Sequence, residues 1–386
     1  MMEISSKVRS VSPSATIALS ARVRELRQEG IDVISFGAGE PDFPTPRFIK
    51  DAAKVAIDAD DTKYTPHAGA ELKAAIVEKL KRENNLTYSP DEIIVTFGGK
   101  HALFNAFSVL LEPGDKVLIP TPYWVSYPEQ VKLNGGECIF IPTGPEKSFK
   151  ITPQDILDNA DGARILLLNS PCNPTGITYS PEELKALAEA VLKTDLVVFS
   201  DEIYEKLIYG RTRFVSFASL DERLPARTLT FNSLSKAFSM TGWRIGWVSG
   251  NAGIVAGLGK IKTNVDSGVF GAIQRAAVAA LEGDQSMLNK TRATYRERRD
   301  MMLEGLRAAG LHVEPCRATF YLWIRTPEGV SSTDFATMLL EKAGVVVTPG
   351  VGFGQFGERP QLSIPVSYTH LRAHETRHDL VCRLLL

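Results

Sequence analysis

From about residue 47 to residue 280 the sequence alternates short apolar runs with amphipathic stretches, and this alternation restricts the fold more than any other feature. The runs include Lys116–Pro120, Cys138–Ile141, Arg164–Leu168, Leu196–Phe199, Leu229–Phe231 and Ile245–Val248. A strand with one face in water alternates apolar and polar residues. These runs are continuous, so they belong to a sheet covered on both faces. Helical stretches between them argue for an α/β domain on a mostly parallel sheet. Ser180-Pro181-Glu182-Glu183 marks one helix start, with a capping hydroxyl, a proline in the first turn and a glutamate three residues on.

Outside this region the texture changes. Residues 1–15 read as a polar arm, followed by a helix over Thr16–Gln28 and a short strand over Asp32–Phe36. Gly37-Ala-Gly39-Glu-Pro-Asp-Phe-Pro-Thr-Pro46 is a turn-rich loop open to close backbone approach. Beyond residue 285 a long charged helix (Asn289–Ala309) is predicted. It precedes strands over Val313–Pro315 and Phe320–Ile324, a helix over Ser332–Ala343 and a strand over Val345–Val347. The division that follows is an arm and part of a small domain (1–46), a large domain (47–284) and a smaller α+β domain (285–365) built from both chain ends. Residues 366–386 fit none of these. His370, His374 and His378 recur every four residues there, a spacing that on a helix would line one face. The plainer readings are accidental spacing or a foreign read-through tail.

A chain of 386 residues is long enough for two or three domains. Its formal net charge of −1 gives no electrostatic reason to expect a nucleic acid or a membrane surface as partner. No apolar run reaches the length of a membrane span, and the N-terminus lacks the apolar core of a secretory signal. The four cysteines are scattered with no Cys-x-x-Cys pair, which removes support for a zinc or redox motif and fits reduced thiols in the cytoplasm.

The chemistry concentrates in Ser233-Leu-Ser235-Lys236-Ala-Phe-Ser-Met-Thr-Gly-Trp-Arg244. A lysine lies between two hydroxyls and a guanidinium, the neighbours needed by an amine that must meet a phosphate-bearing aldehyde. That set matches pyridoxal 5'-phosphate, whose partners are a lysine and a charged group at the pyridine nitrogen. Gly98-Gly99-Lys100 opens a helix after an apolar strand, where free amides and the helix dipole favour an anion. Asp201 and Asn173 follow strands, at the carboxyl ends where α/β sheets bind ligands. Tyr204 comes about one helical turn past Asp201, and Trp124 offers an aromatic face. Taken singly, each of these residues has a structural reading as well: a helix cap for Asp201, a turn former for Asn173, packing for Tyr204 and Trp124.

Six motifs occur in order: Gly37-x-Gly39-Glu-Pro-Asp-Phe, Lys63-Tyr64-Thr-Pro, Pro122-Tyr-Trp124-Val-Ser-Tyr-Pro, Asn169-Ser-Pro-x-Asn173-Pro-Thr-Gly, Ser200-Asp201-Glu-Ile-Tyr204 and Ser235-Lys236 through Arg244-Ile-Gly. Together they resemble the class I aminotransferases of fold type I, above all the prokaryotic aspartate aminotransferase subgroup, over about residues 5–358. The resemblance implies ping-pong transamination with pyridoxal phosphate and a homodimer with shared sites. It implies Lys236 as the Schiff-base lysine and proton carrier and Asp201 as the partner of the pyridinium. Asn173 and Tyr204 would bond the phenolic oxygen and Trp124 would stack on the ring. Ser233, Ser235, Arg244 and the Gly99–Lys100 amides would hold the phosphate, and Tyr64 would reach a phosphate in the neighbouring subunit. Gly39 would meet the substrate α-carboxylate. Relatives reading Gly-Gly-Lys-Gln use that lysine for a distal carboxylate. Here the string is Gly99-Lys100-His101, so aspartate or glutamate is the favoured donor and a 2-oxo diacid the acceptor.

Two departures stand out. Where the resemblance implies an arginine before Leu-Ser, this chain reads Arg359-Pro-Gln361-Leu-Ser363, and a neutral glutamine lacks the charged fork of a guanidinium. The tail also replaces the closing helix of the small domain. Lys262 to Gln274 is similar to a segment of LL-diaminopimelate aminotransferases, which keeps that substrate, or another class I substrate, open. The alternative of a different class is a non-catalytic cofactor-binding protein, or an enzyme impaired in substrate binding.

Overall fold

A computed structural model of the chain describes residues 3–13, 15–37, 39–65, 69–354 and 361–365. Arg359 and the tail with its histidines lie outside the described residues. A short strand, β1 (Ile34–Ser35), precedes the seven that form the central sheet. These are β2 (Ile93–Thr96), β3 (Lys116–Pro120), β4 (Glu137–Ile141), β5 (Ala163–Asn169), β6 (Val197–Asp201), β7 (Thr228–Ser233) and β8 (Gly246–Ser249). Their spatial order is β2-β8-β7-β6-β5-β3-β4. Strands β7, β6, β5, β3 and β4 pair in parallel, whereas β8 runs antiparallel to both β2 and β7.

The unbroken apolar runs have a direct cause. Successive side chains point to opposite faces of a strand, and both faces here are covered. On β5, Ile165 and Leu167 join Phe199, Phe231 and Phe107 in one cluster. Leu166 and Leu168 join Val198 and Leu187 in another. All four β5 residues are at most 2% exposed, and each such side chain contributes about 1.5–3 kcal/mol of burial. The helix Pro181–Val191 that covers the second face starts as anticipated: Ser180 Oγ accepts the Glu183 amide, and the Glu183 carboxylate accepts the Ser180 amide at 2.6 Å.

Because β2, β5, β6 and β7 share a direction, Thr96, Asn169, Asp201 and Ser233 end at the same edge of the sheet. The reversed β8 begins there, with Gly246 in register with both Thr96 and Ser233. Past the long helix Ser286–Ala308 come β9 (Tyr321–Arg325), β10 (Val345–Val346), β11 (Thr348–Pro349) and β12 (Gln361–Pro365). The antiparallel order is β11-β12-β9, and β1 pairs in parallel with β10, so a segment from each end of the chain shares a sheet.

Several elements differ from the sequence reading. No helix follows Asp201; residues 203–206 form turns, tied by the Ile203 amide donating to Asp201 Oδ1 at 3.2 Å. Val313–Pro315 supplies only an isolated bridge from Val313 to Ile324, because Pro315 has no amide to extend a ladder. The long helix begins at Ser286, whose amide donates to Asp284 Oδ1. Among the described residues no helix is long and apolar enough to cross a membrane, and no group of histidine, cysteine and acidic side chains could hold a metal.

Candidate active site

The shared sheet edge opens on a cavity lined by Trp124, Asn173, Asp201, Tyr204 and Lys236, with Gly39 across from them. Asp201 is 3% exposed. Burial pushes its pKa up to about 6, and hydrogen bonds from Tyr127 and the Ile203 amide pull the other way. Tyr127 Oη donates to Asp201 Oδ2 at 2.5 Å. The result is a carboxylate in an apolar shell whose natural counterpart is a cation.

Neighbouring β5 ends in Asn169, paired in register with Asp201. Asn169 Nδ2 donates to the Asp201 carbonyl at 3.0 Å and its Oδ1 accepts the Asn173 amide at 2.8 Å, which fixes Asn173 at the cavity wall. Tyr204 Oη lies 3.0 Å from Tyr321 Oη, a hydroxyl carried by β9. Burial raises both phenols, Tyr204 well above its usual range and Tyr321 to about 12, so both are neutral donors at physiological pH.

Lys236 follows β7. Its Nζ donates to the Gly39 carbonyl at 2.6 Å and sits 5.8 Å from the Phe320 ring centre. Burial pushes its pKa down to about 8; Arg244 and Lys100 add to the fall, and the Glu40 and Asp201 carboxylates oppose it. Gly39 admits no side chain, since a Cβ there would stand 2.1 Å from Tyr321 Oη.

A second hollow adjoins the first and is lined by Phe97, Lys100, His101 and Arg244. Gly98 takes φ +81°, and a Cβ on it would lie 2.8 Å from Arg244 Nη2. Arg244 itself adopts φ +54°, and its guanidinium donates to the carbonyls of Thr241 and Phe97 at 2.7 and 3.1 Å. Ser233 and Ser235 are buried beside it with hydroxyls 2.9 Å apart, and Ser233 donates to the Ile245 carbonyl at 2.8 Å. Gly99 is buried against Ile203 at the start of the helix Gly99–Leu110. Lys100 Nζ stands 5.0 Å over the Trp124 ring, between the two hollows.

Two sequence candidates lie elsewhere. Tyr64 is 87% exposed and lines neither hollow. Gln361 is buried, and its Oε1 accepts Trp323 Nε1 at 2.6 Å; the β12 residues that reach the cavity are Ser363 and Pro365. Tyr127, Asn169 and Tyr321 were not singled out in the sequence. Tyr127 and Asn169 sit inside quoted motifs, where an aromatic or an amide next to a stronger candidate is easily passed over. Tyr321 comes from a different sheet, and no local pattern marks it.

Residues 31–370 match the family described as Aminotransferase class I and II. The chain is 43% identical over 361 residues to an aspartate aminotransferase of Bacillus sp. (strain YM-2), covering 91% of this chain and 92% of that one. It is 42% identical to the aspartate/prephenate aminotransferase of Thermus thermophilus, covering 96% and 97%. The fold superposes on the Thermus thermophilus aspartate aminotransferase solved with maleate at a TM-score of 0.93 and 38% identity, with 100% and 99% of the chains covered. The chain belongs to the class I and II aminotransferases. As such the aminotransferase uses pyridoxal phosphate, and its residues fit that group. The donor set has a buried acid for a pyridinium and an amine shifted toward neutrality. It has cations beside the glycine turn for a phosphate. Asn173 Oδ1 is buried with no hydrogen-bond partner among the described residues, an acceptor left for a bound molecule, while its Nδ2 donates to Tyr321 Oη at 3.5 Å.

Proposed function

We propose that this aminotransferase moves the amino group of aspartate or glutamate to a 2-oxo diacid in two half-reactions, the amino group being retained in the site between them. The observation that carries the reading is the convergence of Lys236, Asp201, Asn173 and Tyr204 on one cavity beside a cationic glycine turn. When bound, pyridoxal phosphate supplies the aldehyde that takes the amino group and the ring that accepts the electron pair of the substrate's Cα–H bond. In this proposal Lys236 Nζ, whose pKa burial lowers to about 8, takes the proton from the substrate Cα in its neutral form and returns it. Asp201, kept ionised by Tyr127, holds the ring nitrogen's proton in place. Tyr204 and Asn173 donate to the phenolic oxygen, and Trp124 covers one ring face. Arg244, Ser233, Ser235 and the Gly99 and Lys100 amides hold the phosphate.

Lys100, poised over Trp124, is the group we assign to a distal carboxylate. That agrees with the names of the relatives and with the dicarboxylate maleate in the Thermus thermophilus structure. A second reading, with prephenate as acceptor, is favoured by relatives named for both substrates and asks the same of Lys100. With Gln361 engaged by Trp323, the α-carboxylate is assigned to the Gly39 backbone and Asn173. We further propose a two-unit organisation, residues 47–284 and 285–365 with the N-terminal 46 joining the second, which the β1–β10 pairing supports. A homodimer in which exposed Tyr64 completes the partner's phosphate site, a cytoplasmic location and a role in amino-acid biosynthesis belong to the same proposal. Free Cys138, Cys172 and Cys316 agree with a reducing compartment.

Mixing the cofactor-loaded protein with aspartate, glutamate, alanine and LL-diaminopimelate in turn tests the reading. Loss of the cofactor's visible absorption and release of the matching 2-oxo acid should be fastest with aspartate or glutamate. No reaction with any of the four, or preference for a donor without a second carboxylate, overturns it.

A further inference from the structure

His101 lies in the first turn of the helix Gly99–Leu110, directly behind the glycine turn. Its Nδ1 accepts the Phe97 amide at 3.2 Å. A ring nitrogen that accepts carries no proton, so the neutral imidazole holds its proton on Nε2. Asp266 Oδ2 lies 3.3 Å from Nε2 and accepts that proton, while the Asn105 amide, 3.1 Å away through Nδ2 and with Oδ1 unpartnered, presents an acceptor to Nε2–H once turned over. Phe97 is thereby held on both sides: its amide on His101, its carbonyl on Arg244 Nη2. The next residue is Gly98, whose positive φ turns the chain into the helix and sets the direction of the Gly99 and Lys100 amides.

Asp266, Lys262 and Arg244 act on the imidazole electrostatically, and Lys100 and Glu129 line the same hollow. Lys262 is 1% exposed and its Nζ lies 2.8 Å from each Asp266 carboxylate oxygen, so Asp266 is already matched by a cation. Asp266 Oδ1 also accepts the Gly268 amide at 2.8 Å. Burial, Lys262 and Arg244 together hold His101 below its ordinary pKa, with Asp266 opposing them. Protonation would place an Nδ1–H against the Phe97 N–H and remove the acceptor.

Resting on the pyridoxal phosphate site described above, we propose that His101 is a positioning residue that keeps the Phe97–Gly99 turn in its phosphate-binding shape only while its imidazole is neutral. A glutamine at position 101 would offer an amide oxygen as acceptor that does not titrate.

The test is the dissociation constant of pyridoxal phosphate for the wild type, His101→Gln and His101→Ala between pH 5 and pH 8, read by equilibrium dialysis. At pH 8 the wild type and H101Q should bind alike, and H101A, which strands the Phe97 amide, should bind roughly 5- to 50-fold more weakly. Toward pH 5 the wild type should weaken relative to H101Q, since titration of the phosphate itself is common to both. A wild-type to H101Q ratio that stays constant with pH, or an H101A protein that matches the wild type at pH 8, overturns the proposal and leaves the cofactor site standing. Absence of binding in all three proteins removes the site and the proposal together.

Discussion

Tyr127→Phe removes one of the two hydrogen bonds that oppose the effect of burial on Asp201. The hydroxyl donates to a buried carboxylate at 2.5 Å, and the ring is fully enclosed, so the phenylalanine ring fills the same space. Burial alone raises the Asp201 pKa, and Tyr127 is the first of the groups that oppose it. A hydrogen bond to a charged group contributes about 1.5–3 kcal/mol, equivalent to about 1–2 pKa units. Its loss should carry Asp201 from about 6 to ~7–8. At pH 7 the ionised fraction then drops from roughly nine-tenths to between a half and a tenth. Since a cationic pyridine nitrogen pairs with the carboxylate and not with the neutral acid, cofactor affinity at pH 7 should weaken ~2- to 10-fold. The sign follows from the direction of the shift: an acid whose pKa rises recovers its charge as pH increases, so by pH 9 the two proteins should bind alike. Fluorescence titration of the cofactor-free proteins at pH 6, 7 and 9 measures this directly. A defect of equal size at pH 7 and pH 9 would show that the hydroxyl acts by packing, and no defect at pH 7 would show that it does not set the charge of Asp201.

Lys236 should take up pyridoxal phosphate at a rate that climbs with pH through about 8 and then levels; on the order of 300 times more neutral amine is present at pH 7 than in an ordinary lysine, and a rate still climbing steadily to pH 10 would refute this. Lys100→Ala should lower kcat/KM for aspartate by ~10- to 100-fold while leaving alanine little changed, and equal losses would remove the dicarboxylate assignment. Lys79, 2% exposed, bonds Asn84 Oδ1 at 2.7 Å and pairs with Glu205. Lys79→Ala should therefore destabilise the protein by ~3–5 kcal/mol in urea unfolding, whereas the double change Lys79→Met with Glu205→Leu should recover most of that loss. A double variant no more stable than the single one would locate the cost in packing.

The core was legible because a strand buried on both faces has no choice but to be apolar throughout, as Ile165 to Leu168 show. The same property hid the direction of β8. Gly246 to Ser249 is as buried as its neighbours, and an enclosed antiparallel strand has the composition of a parallel one. The segment after Asp201 reads as helix because Glu202-Ile-Tyr-Glu-Lys-Leu207 is rich in helix formers. Tertiary bonds override that preference: the Glu202 carboxylate accepts from Ser200, Ser216 and the Phe217 amide, and Asp201 accepts from Ile203. Lys236, Asp201, Asn173 and Tyr204 could be picked out because each sits at or just past the end of a strand and carries unmistakable chemistry. Tyr321 and the His101–Asp266 pair could not, since their importance comes from partners distant in the chain.

One strand runs against the grain of the sheet, and its heading decides where a positive charge is delivered. A residue that precedes a reversed strand arrives at the same rim as residues that follow the forward ones. Arg244 therefore stands beside the loops after β2 and β7. Were β8 turned round, the guanidinium would be carried to the opposite rim, about 13 Å away for four extended residues, and the proposed phosphate site would keep its glycines and lose the guanidinium.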